Sequence, residues 1–254
     1  MIHPTALVDS NAQIGNGVAI GPFSIVEKGS IIGDNALIGP RAHIFSHTRI
    51  GASVQVYDGA VVGAPPQDLK YAGESSWLEI GDGTIIREYC TLNRGTGQQG
   101  VTKIGRDVLL MAYTHVAHDC VLEDHVILAN GVQLGGHVQI GVAAVIGGNT
   151  AVHQFQNIGA FAFVGGTLKV DRNVPPCVKA FGNPLRFAGI NSIRMSRFGF
   201  SEARIRAISE QYRPFFNKKT TFSQFKESIL TNGVADELLV SYFRKNSGKI
   251  ITSV

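Results

Sequence analysis

The chain has 254 residues, 44% of them apolar and 17% charged, with a net charge of +4 at pH 7. That composition allows one large domain with a sizeable buried core and excludes a disordered or coiled-coil chain. Residues 1–190 carry 12 Lys and Arg against 14 Asp and Glu, while residues 191–254 carry 11 against 5, so the tail is basic and is expected to face an acidic partner, phosphates or solvent. The three cysteines, Cys90, Cys120 and Cys177, follow no spacing pattern. An odd count of this kind argues against a disulfide framework and fits a reducing compartment. The opening residues MIHPTALVDS have neither a basic segment nor an apolar one, and no run reaches the roughly 18 apolar residues of a membrane span. A cytoplasmic protein without a membrane span is expected.

A period of six governs the first two thirds of the chain. Taking every sixth residue from Ile2 to Val170 gives 29 positions, of which 26 are Ile, Leu or Val. Gly often follows the aliphatic residue, as at Gly15, Gly21 and Gly33, and a small residue stands four after it, as at Ala36 and Ala42. Six fits neither an amphipathic helix nor plain strand alternation. It fits a short strand and a turn, repeated so that stacked turns bury a column of aliphatic side chains. The exceptions are Asp68, Glu74 and Gln98, within APPQDLKYAGESSW (64–77) and GTGQQGV (95–101). Both stretches are turn-rich, and the aliphatic phase is the same on either side, which predicts external loops that rejoin the scaffold in register. After Val170 the repeat fades. Ser201 reads as the N-cap of a helix over SEARIRAISEQYRPFF, with further helices near Phe222–Leu230 and Asp236–Lys245. The division expected is 1–190 for the repeat and 191–254 for a small helical domain.

The period makes three hexads one coil of 18 residues, with adjacent strands about 4.8 Å apart. Residues 18 apart then stack. One coil beyond His118 is Gly136, beside His137; two coils beyond is Gln154, beside His153. Histidine therefore recurs at one edge over three coils. It titrates near neutrality and can take a proton from a hydroxyl. Asp119 could orient it, and the Gly136 N–H could meet an oxyanion. Base and oxyanion donor together suit acyl transfer. Cys120 and Cys90 fall on the small inward position and read as packing, not as nucleophiles.

The repeat resembles the hexapeptide-repeat family, whose fold is a left-handed parallel β-helix. A narrower set of motifs, in order, is QDLKYAGE (67–74), IREYCTLNRGT (86–96), AHDC (117–120), GGHV (135–138), AVHQF (151–155), VPPCV and RFGFS (197–201). With a helical C-terminal domain, these resemble the O-acyltransferases that move a 3-hydroxyacyl group from acyl carrier protein to the 3-hydroxyl of UDP-N-acetylglucosamine, the first step of lipid A biosynthesis. The resemblance covers essentially the whole chain. It implies His118 as general base, Asp119 as its orienting partner and Gly136 as oxyanion donor. It implies Asp68, Lys70, His115, His137, His153, Gln154, Asn191 and Arg197 as substrate-binding residues, and Gly166 as the place where the acyl tail ends. The donor would be a phosphopantetheine thioester on acyl carrier protein, with no separate cofactor, and the assembly a homotrimer with sites between subunits. Neither nucleic acid nor a metal is expected: some hexapeptide-repeat proteins hold zinc through histidines, but their spacing is not evident here. Ile193 and Phe198 depart from the family pattern, which has acidic and basic residues there. Other readings are a relative with an acyl-CoA donor or a 3-amino sugar acceptor, and a non-catalytic binding solenoid. His115 favours the 3-hydroxyl sugar by resemblance.

Overall fold

The computed structural model describes residues 1–97, 100–231, 233–246 and 248–252. Gln98, one of the three positions that break the series, lies outside them. Most hexads contribute a two-residue strand, and strands 18 residues apart pair in parallel, as Leu7 with Ile25 and Val116 with Leu134. The result is a three-faced parallel β-helix. The first face runs from Leu7–Val8 to Lys169–Val170, the second from Gln13–Ile14 to Asn157–Ile158, and the third from Ala19–Ile20 through Phe163–Val164.

The aliphatic series fills the interior: Ile32, Ile44, Leu92, Val116 and Leu134 are buried. The small position, four after each, points into the narrow angle of the prism, where Ala36, Ala42, Cys90, Cys120 and Ala162 are fully buried. Two of the hydroxyls that stand there, those of Ser24 and Thr150, donate to the carbonyls of Gly39 and Gly165, both at 2.8 Å. Three residues after most aliphatic positions the backbone enters the left-handed region to turn the corner, even for His47, Asp119, His137 and Phe155. The cost of that conformation is offset by coil-to-coil hydrogen bonds at each corner, such as His137 N–H to the His118 carbonyl at 3.0 Å.

Both loops leave the prism at the same corner, between the first and second faces. One departs after Val61–Ala64 and returns at Trp77–Ile80; the other departs after Thr91–Asn93 and returns at Val101–Ile104. Val61 pairs with Thr91, 30 positions on, which is 18 plus two hexads. Thr91 pairs with His115, 24 positions on, or 18 plus one hexad. Insertions of whole hexads explain why the aliphatic phase survives them.

Beyond the regular coils, Val178–Phe181 extends the third face in parallel and Arg186–Ile190 folds back antiparallel on it. Four helices follow: α1 (Ser192–Arg197), α2 (Glu202–Phe216), α3 (Phe222–Thr231) and α4 (Glu237–Lys245). Ser201 caps α2 as its sequence predicts, and Asp236 caps α4. Arg204 grips the Asp236 carboxylate with two bonds of 2.8 and 3.2 Å. The buried Tyr212 and Tyr242 hydroxyls donate to the carbonyls of Pro176 and Asn157, tying the helices to the last coils. Helix α1 was not legible: six residues give no readable period. It lies on the corner between the second and third faces, where Arg194 donates to the carbonyls of Ala143 and His125. No helix among the described residues is long and apolar enough to cross a membrane.

Candidate active site

The corner from which both loops leave is where the polar residues collect. Asp119, His137 and Phe155 are its turn residues in three successive coils, and His118, Gly136 and Gln154 precede them. The imidazoles of His118 and His137 meet edge to face at 5.2 Å, and His137 stacks on Phe155 at 4.6 Å.

His118 Nδ1 lies 2.8 Å from Asp119 Oδ2. A buried carboxylate accepts, so Nδ1 is the protonated nitrogen and Nε2 is left with a free lone pair. Asp119 is fully buried but not isolated: Thr96 donates its N–H to Oδ1 at 3.0 Å and its hydroxyl to Oδ2 at 2.7 Å. The Asp119 N–H donates to Thr102 Oγ1 at 2.8 Å. Gly136 lies directly against the ring, since a Cβ there would stand 2.6 Å from His118 Cε1. Glycine is required by that close approach. Among the described residues, the Gly136 N–H donates to no protein acceptor.

Around this pair, His115 sits on the first face with Nδ1 2.7 Å from the Thr91 hydroxyl, and burial lowers its pKa. His153 and Gln154 are exposed at the same corner, and His137 Nε2 stands 3.6 Å from Asp119 Oδ2. In the first loop, Asp68 Oδ1 accepts the Lys70 N–H at 2.9 Å, leaving the Lys70 side chain in solvent. Loop joins loop: Glu74 accepts the Gly97 N–H at 2.9 Å, and the Asn93 amide donates to the Pro65 carbonyl at 2.6 Å.

Three of the sequence-derived residues are not brought to His118 within one chain. Asn191 is buried at the foot of α1, its amide donating to the Phe161 carbonyl at 2.8 Å. Arg197 ends the same helix, at the corner between the second and third faces. Gly166 is exposed at the corner between the third and first faces, stacked over Gly148. Sequence reasoning also missed Thr96, in the second loop, and Thr102, in the strand to which that loop returns, because a threonine signals nothing until the fold lays it against an acid. The cysteines are buried as expected, and burial pushes the Cys120 thiol up to about 12, so it is a poor nucleophile.

His118, Asp119 and His137 offer ligand atoms within 4.8 Å of one another, a grouping that could hold a metal ion. The Asp119 oxygens, however, already accept from Thr96 twice and from His118, and Nδ1 and Oδ2 face each other instead of a shared third atom. The arrangement is that of a hydrogen-bonded acid–base pair with one free imidazole nitrogen beside an open amide.

Comparisons with known proteins place the chain in a family. The family model described as UDP N-acetylglucosamine O-acyltransferase, domain 2, matches residues 173–249, and the bacterial transferase hexapeptide model matches residues 11–46 and 102–136. The acyl-[acyl-carrier-protein]–UDP-N-acetylglucosamine O-acyltransferase of Herminiimonas arsenicoxydans is 40% identical over 254 residues, covering 100% of this chain and 97% of its own. The protein of that name from Janthinobacterium sp. is 44% identical over 230 residues, 90% of this chain and 88% of its own. LpxA from Acinetobacter baumannii matches in structure with a TM-score of 0.94 at 39% identity, over 98% of this chain and 99% of that one. The chain belongs to the acyl-[acyl-carrier-protein]–UDP-N-acetylglucosamine O-acyltransferase family.

Proposed function

We propose that the protein transfers a 3-hydroxyacyl group from acyl carrier protein to the 3-hydroxyl of UDP-N-acetylglucosamine, the first step of lipid A biosynthesis, with His118 as general base. The observation that carries this reading is the dyad. His118 Nδ1 is tied to a buried Asp119 at 2.8 Å, and its ring lies on Gly136. Nε2 takes the proton of the sugar 3-hydroxyl as that oxygen attacks the thioester carbonyl. The imidazolium so formed is stabilised by the Asp119 carboxylate. The oxyanion of the tetrahedral intermediate accepts from the Gly136 N–H. Collapse expels the phosphopantetheine thiolate, which recovers the proton from Nε2. Atoms and charge balance without a separate cofactor.

His115, His137, His153 and Gln154 surround the dyad and serve as ligands of the sugar nucleotide. Asp68 and Lys70 reach it from the first loop. Asn191, Arg197 and Gly166 lie on the other two corners of the chain, which suits a homotrimer whose sites are completed by a neighbouring copy. In that assembly Arg197 meets the nucleotide phosphates and Gly166 lines the end of the acyl groove. Three unpaired, buried thiols suit a cytoplasmic enzyme. The basic segment 191–254 suits docking of an acidic carrier protein.

The test is product formation by the purified protein from UDP-N-acetylglucosamine and 3-hydroxyacyl carrier protein, run beside acyl-CoA donors and a 3-amino sugar nucleotide. Turnover confined to acyl-CoA, or to the amino sugar, would replace this reading with one of the two related transferases. No turnover with any pair would leave a binding solenoid.

A further inference from the structure

We infer that Thr96 is a positioning residue for the reaction: from the second loop it holds the Asp119 carboxylate at the angle that sets His118. The inference rests on His118 being the base. Because Asp119 is fully buried, its charge depends on protein donors. Among the described residues, two of its three side-chain bonds come from Thr96, one to each oxygen, at 3.0 and 2.7 Å. The third comes from His118, to the same Oδ2 that the Thr96 hydroxyl holds. The second side-chain torsion of an aspartate is broad, so a carboxylate held by one donor could turn. A grip on both oxygens fixes its plane, and the remaining face of Oδ2 then meets the imidazole. The backbone is pinned separately, by the Asp119 N–H on Thr102.

Thr96 is 8% exposed and belongs to no strand. Its place is set by the two loops bracing each other. Glu74 of the first loop accepts the N–H of the next residue, Gly97, with one oxygen and that of Ala72 with the other, both at 2.9 Å. The product of both insertions, at this point, is one hydroxyl and one amide placed against Asp119.

Thr96→Val keeps the shape and the backbone N–H and removes the hydroxyl. Steady-state acylation of UDP-N-acetylglucosamine from 3-hydroxyacyl carrier protein is measured for Thr96→Val, Thr96→Ser, Asp119→Ala and the double variant, with His118→Ala as reference. Thr96→Val is expected to lower kcat on the order of 10- to 100-fold while KM for both substrates stays within about twofold. Thr96→Ser restores turnover, and Thr96→Val costs nothing further in the Asp119→Ala background. A packing role gives the reverse: Ser, lacking the methyl group, does worse than Val, and the losses add in the double variant. Either result overturns the inference. Should Asp119→Ala fail to fold, the Val–Ser contrast decides alone. Wild-type turnover in His118→Ala removes the base assignment itself, whereas an inactive His118→Ala beside a fully active Thr96→Val removes only the role of Thr96.

Discussion

Two corners of the same prism each bring a histidine and an aspartate together, and only one of them is a candidate active site. At the corner between the first and second faces, His118 and Asp119 meet at 2.8 Å, with side chains 12% and 0% exposed. At the corner between the second and third faces, His125 and Asp107 stand 3.8 Å apart and are 43% and 60% exposed. Both aspartates turn their corner in the left-handed region, so the repeat treats them alike. The difference lies outside the repeat. No insertion departs at the second corner; α1 lies there, and His125 packs against Phe198. At the first corner Asp119 is buried, and Thr96 of the second loop donates to both of its oxygens. An exposed pair is worth little in water, because solvent competes for both partners. A buried, fully satisfied one is rigid and directional. The scaffold thus offers many equivalent corner positions, and the loops convert one of them into a site.

Removing each histidine in turn should separate the two corners most strongly. His118→Ala should lower kcat by roughly 10²–10⁴, while His125→Ala should leave it within about twofold. Both should fold, since neither belongs to the aliphatic column. Equal effects in steady-state assays of the two purified variants would show that burial of the dyad is not what matters. A second loss, of about 10² in kcat, is expected for Gly136→Ala, because the new methyl displaces the His118 ring by the better part of an ångström. Unchanged turnover there would mean that the ring stands elsewhere during catalysis.

The third corner sharpens the contrast in another direction, toward specificity. A Cβ on Gly166 would meet the Gly148 carbonyl at 3.1 Å, so the neighbour must give slightly, and a longer side chain would extend from an exposed position. Gly166→Met should therefore move the preferred donor to a shorter acyl chain. Each buried methylene is worth about 0.8 kcal/mol, so a four-carbon change gives roughly two orders of magnitude in discrimination. Rates across a series of chain lengths decide it: a wild-type optimum at short chains, unmoved in the variant, shows that Gly166 does not set the length.

Much of this was legible because the repeat is arithmetic. A period of six placed Val116 and Leu134 inside, stacked Gly136 on His118 and Gln154 on Gly136, and kept its phase across insertions of whole hexads. Ser201 announced its helix by capping chemistry. What could not be read is what arithmetic does not carry. Thr96 reaches Asp119 across 23 positions, from a loop whose path depends on Glu74 and Asn93. Nor does the period distinguish the buried Asp119 from the exposed pair at His125. Helix α1 is too short for a period, and Asn191 at its foot gave no sign that its amide would be spent on the Phe161 carbonyl.

The smallest effect tests the brace between the loops. The Gly97 N–H, with that of Ala72, holds the Glu74 carboxyl below its ordinary value of 4.5. A depressed carboxylate stabilises the folded form above the unfolded pKa and loses that contribution as pH falls through the folded one. The strap should therefore be intact across the neutral range, still intact at 4.5, and released only below it. The Gly97 amide proton shift, followed by NMR down the pH scale, should titrate with a midpoint under 4.5 and lose that step in Glu74→Gln. A neutral amide keeps one acceptor oxygen where the carboxylate had two, so one of the two N–H groups loses its partner. Since the strap also places Thr96, the kinetic cost should fall on turnover, with kcat lowered about two- to fivefold and KM nearly unchanged. A step in the Gly97 shift at or above 4.5, or one that survives in Glu74→Gln, would mean that the second loop, and Thr96 with it, is held by other contacts.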